Sequence, residues 1–113
     1  MNESNQERRG LRFPFEATAE IQVGASSSAW VPGRVTELSL RGCLMETSGS
    51  FQEQQRLSVK IVHSGEYFES SAAVLYVKPS GIGLVFSEMK LHYRAVLQKW
   101  ILEALDKVAE PKT

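Results

Sequence analysis

The sequence predicts a mainly β domain, an antiparallel barrel or sandwich closed by one C-terminal helix, on three observations. From Phe15 to Phe86 the chain falls into short stretches rich in β-branched residues and separated by Gly, Ser or Pro, as antiparallel sheets do. Helical spacing of apolar residues appears only after Ser87. The length of 113 residues suits a single domain, one that removes roughly two-thirds of its unfolded surface from water.

The elements follow in order. Pro14 opens the folded body, and residues 1–13, polar and without periodicity, form a flexible arm ahead of the domain at 14–110. Ala17, Ala19, Ile21 and Val23 alternate with Thr18, Glu20 and Gln22, so a first strand over 17–23 has one apolar face. Gly24 to Ser28 is the turn. A second strand runs from about Trp30 to Leu38, with Pro32-Gly33 marking an edge or a bulge. After a tight connection at Leu40-Arg41, a third begins at Gly42 and reaches Thr47.

A polar loop over 48–55 tucks Phe51 beneath it. Leu57 to His63 is the next alternating strand, and Ser64-Gly65 fits a two-residue hairpin. Tyr67 to Val77 follows, then a turn at Pro79-Ser80-Gly81, then the nearly continuous apolar strand Ile82 to Phe86. Ser87 reads as a helix N-cap with Glu88 as a first-turn acid. Beyond it Tyr93, Val96, Leu97, Trp100, Ile101, Ala104, Leu105 and Val108 form a stripe that seals one side of the sheet. Met89, Leu91 and Leu102 fall off that stripe, a candidate face for a partner or a homodimer.

Composition excludes several function classes. A hydrophobic share of 42% and a charged share of 23% are those of an ordinary folded domain, and the formal net charge is zero. A long nucleic acid therefore gains no global pull, and any anion must be held by a local cluster. Few aromatics fall on the sheet, against the stacked platforms of single-strand binders. Cys43 is the only cysteine, so no internal disulfide forms and no cysteine-based metal site is expected. His63 and His92 have no serine or carboxylate at motif spacing, and no nucleophile, base and orienter occur together, so the chain is not expected to be an enzyme or to carry a cofactor. No signal-peptide core and no run of bilayer length is present, which places the expected protein in the cytoplasm.

The basic cluster is Arg8-Arg9-Gly10-Leu11-Arg12, and Glu37-Leu38-Ser39-Leu40-Arg41-Gly42 follows at a strand junction. An R-x-x-x-R arm, an acidic-x-S-x-x-G turn, the late strand Gly81-Ile82-Gly83-Leu84-Val85-Phe86 and a terminal helix, in this order, resemble the PilZ domain family across nearly the whole chain. The resemblance implies a six-stranded antiparallel β-barrel, a split barrel with a C-terminal helix, that binds the bacterial second messenger cyclic di-GMP. Its ligand-binding residues here are then Arg8 and Arg12, with Arg9 in place of Arg8 or beside it, and Glu37, Ser39 and Gly42. A stand-alone receptor of this kind signals in trans to a downstream protein. The rival reading is a degenerate PilZ-type interaction module in pilus or flagellar motility that binds no cyclic di-GMP.

The chemistry of these residue types fits such a ligand. A guanidinium makes paired hydrogen bonds to a phosphate or to the O6/N7 edge of guanine, and stacks on a purine for roughly 0.5–2 kcal/mol. Lysine serves poorly there. A carboxylate at position 37 accepts from the guanine N1–H and amine, Ser39 donates to phosphate or organises the turn, and Gly42 admits close backbone approach. The family prefers Asp or Asn where Glu37 stands, and the added torsion costs on the order of 1 kcal/mol to fix. Each residue also has a structural reading: a solvated charge cluster for the arm, turn chemistry with a positive φ for Ser39 and Gly42, an exposed strand position for Glu37, a surface charge for Arg41, and a small buried hydrophobe for Cys43.

Overall fold

In the computed structural model, which describes residues 12–24 and 30–109, six strands and one helix follow one another along the chain. They are β1 (Phe13–Val23), β2 (Val31–Leu38), β3 (Gly42–Thr47), β4 (Arg56–His63), β5 (Glu66–Lys78), β6 (Gly81–Phe86) and α1 (Leu91–Ala109). All neighbours are antiparallel, and the order β1-β2-β3-β6-β5-β4 closes on itself where β1 pairs with β4. The mainly β, six-stranded barrel with its C-terminal helix is therefore the fold this sequence adopts.

Alternation places the core. In β1, Phe13, Phe15, Ala17, Ala19 and Ile21 are buried and the residues between them exposed. They meet Val35 and Leu38 of β2, Met45 of β3, Val59 and Ile61 of β4, Phe68 and Val74 of β5, and Ile82 and Leu84 of β6. Phe51 packs against this core from its loop. At the β4–β5 hairpin Ser64 and Gly65 both have positive φ, 53° and 77°, which is the two-residue turn whose twist matches the strands it joins.

Several expectations shift. β1 begins at Phe13 rather than Ala17, and Pro14 is tolerated because β4 pairs only from Thr18 onward, leaving Pro14 with β2 as its one neighbour. Pro32-Gly33 is not a bulge, and of the two expectations the edge position holds, since Pro32 pairs with Glu20 of β1 alone. Pro32 lies one residue beyond the last β3 rung, and its carbonyl accepts the Thr47 hydroxyl at 3.0 Å. Ser87 is not the helix N-cap. Its N–H donates to the Ser71 carbonyl at 2.8 Å while Ser71 N–H donates to Glu88 at 3.0 Å, so the ladder beside β5 runs on past Phe86. The helix starts at Leu91, with the Lys90 carbonyl accepting from Tyr93 and Arg94, both at 3.0 Å. Met89, expected off the apolar stripe, packs against the core.

The helix is fastened at one point above others. Trp100 is fully buried, its ring 5.6 Å from Phe15 and 5.4 Å from His63, and its indole N–H donates to Glu66 at 3.3 Å. Leu97 and Ile101 are buried beside it. A buried indole with its one donor satisfied contributes by area and by shape at once. Truncation at Trp100→Ala should lower the unfolding free energy by about 3–5 kcal/mol, measured by urea denaturation followed by circular dichroism.

Candidate functional site

The β2–β3 connection is held by one hydroxyl. Ser39 is buried, and its Oγ accepts from the N–H groups of Arg41 and Gly42, each at 3.1 Å, and donates to the Gly42 carbonyl at 3.3 Å. Its own N–H reaches the same carbonyl at 2.9 Å, and Phe86 N–H donates to Arg41 at 2.8 Å, tying the turn to β6. Ser39 therefore organises the turn, with its hydrogen-bonding capacity spent inside the protein. Gly42 is needed for clearance rather than for a positive φ: a Cβ there would collide with the Leu84 carbonyl on β6.

Two register shifts turn the next side chains outward. Between β2 and β3 the register slips at Thr36, so Val35 and Leu38 both point inward and Glu37 points out. Between β5 and β6 it slips at Leu75, so Tyr76 leaves the inward parity of Val74 and lies opposite Gly83. Such bulges re-aim side chains. Gly83 makes the space, since a Cβ there would stand 2.5 Å from the Tyr76 ring.

Arg12 joins these elements. Its Nη1 donates to the Tyr76 hydroxyl at 3.1 Å and stands 3.7 Å from Glu37 Oε1, with 42% of each side chain of the Arg12–Glu37 pair exposed. The hydrogen bond to Tyr76 raises the guanidinium pKa, partial burial opposes it and Glu37 adds to it. Arg12 stays charged.

Beneath lies a cavity of about 270 Å³ whose lining includes Arg12, Ser39, Arg41, Gly42, Tyr76 and Val85. Among the described residues two guanidiniums, one phenol and an apolar floor line it, and no carboxylate does. An anion gains there from both arginines, and a planar base can lie against the floor. Cys43 closes the bottom; burial pushes its thiol up to about 12, with Arg12 pulling the other way.

Of the residues expected to bind, Arg12, Ser39 and Gly42 come together on this cavity, and Glu37 stands beside it on Arg12. Arg8 and Arg9 lie outside the described residues. Sequence reasoning missed Tyr76, and Arg41, expected as a surface charge, is exposed and lines the cavity as well. The signal for Tyr76 was Gly83, a strand glycine that marks close approach by another group. His63 stacks 4.5 Å from Phe15 and belongs to the helix packing. Among the described residues no group of His, Cys, Asp and Glu is placed to hold a metal ion, and no helix is long and apolar enough to cross a membrane.

The family model for the PilZ domain matches residues 6–103. No curated protein matches the chain. Solved structures do. The PilZ domain of CeSA from a cellulose-synthesizing bacterium superposes with a TM-score of 0.64 at 16% identity, covering 81% of this chain and 95% of that one. The Bacillus subtilis inhibitor of motility (MotI/DgrA) gives 0.68 at 19% identity over 85% of this chain, which spans 50% of that protein's length. The PilZ domain, with c-di-GMP, of YcgR from Escherichia coli gives 0.67 at 15% identity over 88% of this chain and 92% of that one.

Two outcomes follow from the turn and the floor. Gly42→Ala, forced against the Leu84 carbonyl, should destabilise the fold by about 1–3 kcal/mol, the usual cost of overpacking, seen as an earlier thermal unfolding midpoint. Because the folded Cys43 thiol sits at about 12 against an ordinary 9.0, the unfolded chain ionises first, and stability should decline as pH rises through that window. At mildly alkaline pH a thiol reagent should label Cys43 at the rate of unfolding and not faster.

Proposed function

The chain belongs to the PilZ domain family, and from that membership we propose that it is a receptor for cyclic di-GMP that acts on another protein in trans. PilZ domains are binding modules, and the work proposed here is recognition, not catalysis. The observation that carries the reading is the convergence of Arg12 with the Ser39–Gly42 turn on a cavity lined, among the described residues, by two arginines and no carboxylate.

Each residue has a role. Arg12 makes paired hydrogen bonds to a phosphate or a guanine edge, and Arg8 and Arg9 bring further guanidiniums from the arm. Ser39 acts through the turn it holds, presenting Arg41 and the side-chain-free Gly42 to the ligand. Glu37 accepts from the guanine N1–H and amine once Arg12 leaves it. That release is cheap, because an exposed ion pair is worth about 0.2–1 kcal/mol.

The arm is ordered over the ligand, and the new charge and surface at residues 1–12 are what a downstream protein in the bacterial cytoplasm reads. Ligand shifts the arm only by its differential affinity for the ordered state. A second reading has one observation in its favour: Arg12 is already engaged by Tyr76 and Glu37, as in an interaction module that needs no nucleotide for its role in motility.

Calorimetric titration with cyclic di-GMP separates the two. The receptor reading expects saturable heat with the full chain, affinity at least about tenfold lower for Arg12→Ala, equivalent to 1.4 kcal/mol or more, and slower hydrogen exchange over residues 5–14 with ligand bound. A flat wild-type titration at high micromolar ligand sinks it in favour of the interaction module.

A further inference from the structure

On α1 the residues Leu97, Trp100 and Ile101 face the barrel. Turned away from it, Leu91, Ala95, Gln98, Leu102 and Leu105 recur at alternating spacings of four and three, and all are exposed, Leu91 by 81% and Leu102 by 62%. This is the spacing of a coiled-coil seam, with Ala95 and Leu102 at a positions and Leu91, Gln98 and Leu105 at d positions. The stripe is distinct from the one that packs on the sheet, and one helix carries both.

We propose that this seam pairs with the same seam of a second copy of the chain, the two helices antiparallel. Polar groups flanking the seam select both the occupant and the direction, through an imidazole that can donate to a carboxylate and through the repulsion of like charges. In a parallel pair, position e of one helix flanks position g of the other, which sets Lys99 beside Arg94 twice over and repels. In the antiparallel pair e flanks e, so His92 of each copy lies beside Asp106 of the other, and Ala95 packs opposite Leu105 and Gln98 opposite Leu102. The two Lys99 ammoniums meet near the axis, each already answered within its own subunit by Glu66 at 3.1 Å.

A two-fold pair of this kind is closed, using the same patch on both partners and leaving no surface to propagate. The helix is already folded on its barrel, so pairing pays little to order it. The inference uses no feature of the nucleotide cavity and stands or falls apart from the receptor reading.

Light scattering across a concentration series of the full chain should give twice the 12.6 kDa chain mass, and Leu102→Lys should return the mass of one chain with an unchanged circular dichroism spectrum, since Leu102 lies outside the core. A wild-type mass of one chain at high micromolar concentration overturns the proposal and leaves the seam to a different protein. Direction is tested by oxidation, for which the buried Cys43 adds no background. Mixed Ala95→Cys and Leu105→Cys chains should yield the hetero-disulfide, and a disulfide of Ala95→Cys with itself overturns the antiparallel arrangement.

Discussion

Closing six strands into a barrel leaves no free edge, and the rest of the molecule answers to that closure. Inside, every second residue must be apolar, and Ile21, Val35, Met45, Val59 and Phe68 meet that demand with no measurable exposure. A polar group at an inward position cannot stay in simple alternation with such neighbours. The slips at Thr36 and Leu75 resolve the conflict. Each spends one residue of a strand to turn Glu37 or Tyr76 out of the core, and both emerge at the end of the barrel where Arg12 enters β1.

The site is assembled from parts of opposite character. Its base is rigid: Ser39 satisfies three backbone groups from one buried position, and Gly42 and Gly83 let neighbours approach to contact distance. Its cap is loose, because Arg12 is held by exposed contacts that water competes for. The result is a firm floor beneath a releasable cation.

Much of this was legible in the chain. Alternation from Ala17 to Val23 and from Leu57 to His63, the Ser64-Gly65 turn and the helical stripe from Tyr93 to Ala104 all follow from local chemistry, whereas Leu105, expected in that stripe, is exposed; the arm-and-turn motif picked out Arg12, Ser39 and Gly42, which meet on one cavity. What escaped reading was non-local. Ser87 and Glu88 look like a helix start, yet their backbone groups are claimed by Ser71, and the contest between a cap and a ladder is decided by a strand sixteen residues away in sequence. Tyr76 sits in a run that reads as regular strand, and only the pairing of Val74 with Leu84 followed by Tyr76 with Gly83 shows that its parity has changed. Arg41 lines the cavity because the turn is anchored to Phe86, an arrangement its own neighbours do not announce.

The clearance at Gly42 separates two kinds of residue within a single signature. The glycine answers to the β3–β6 contact and the serine to the turn, so both are demanded by folding whether or not any nucleotide arrives. Arg12, held by exposed contacts, answers to no such demand. A relative of this fold with no nucleotide to bind would be free to lack Arg12 while still carrying Ser39 and Gly42, and the motif's inner half would stand there as a mark of architecture rather than of recognition.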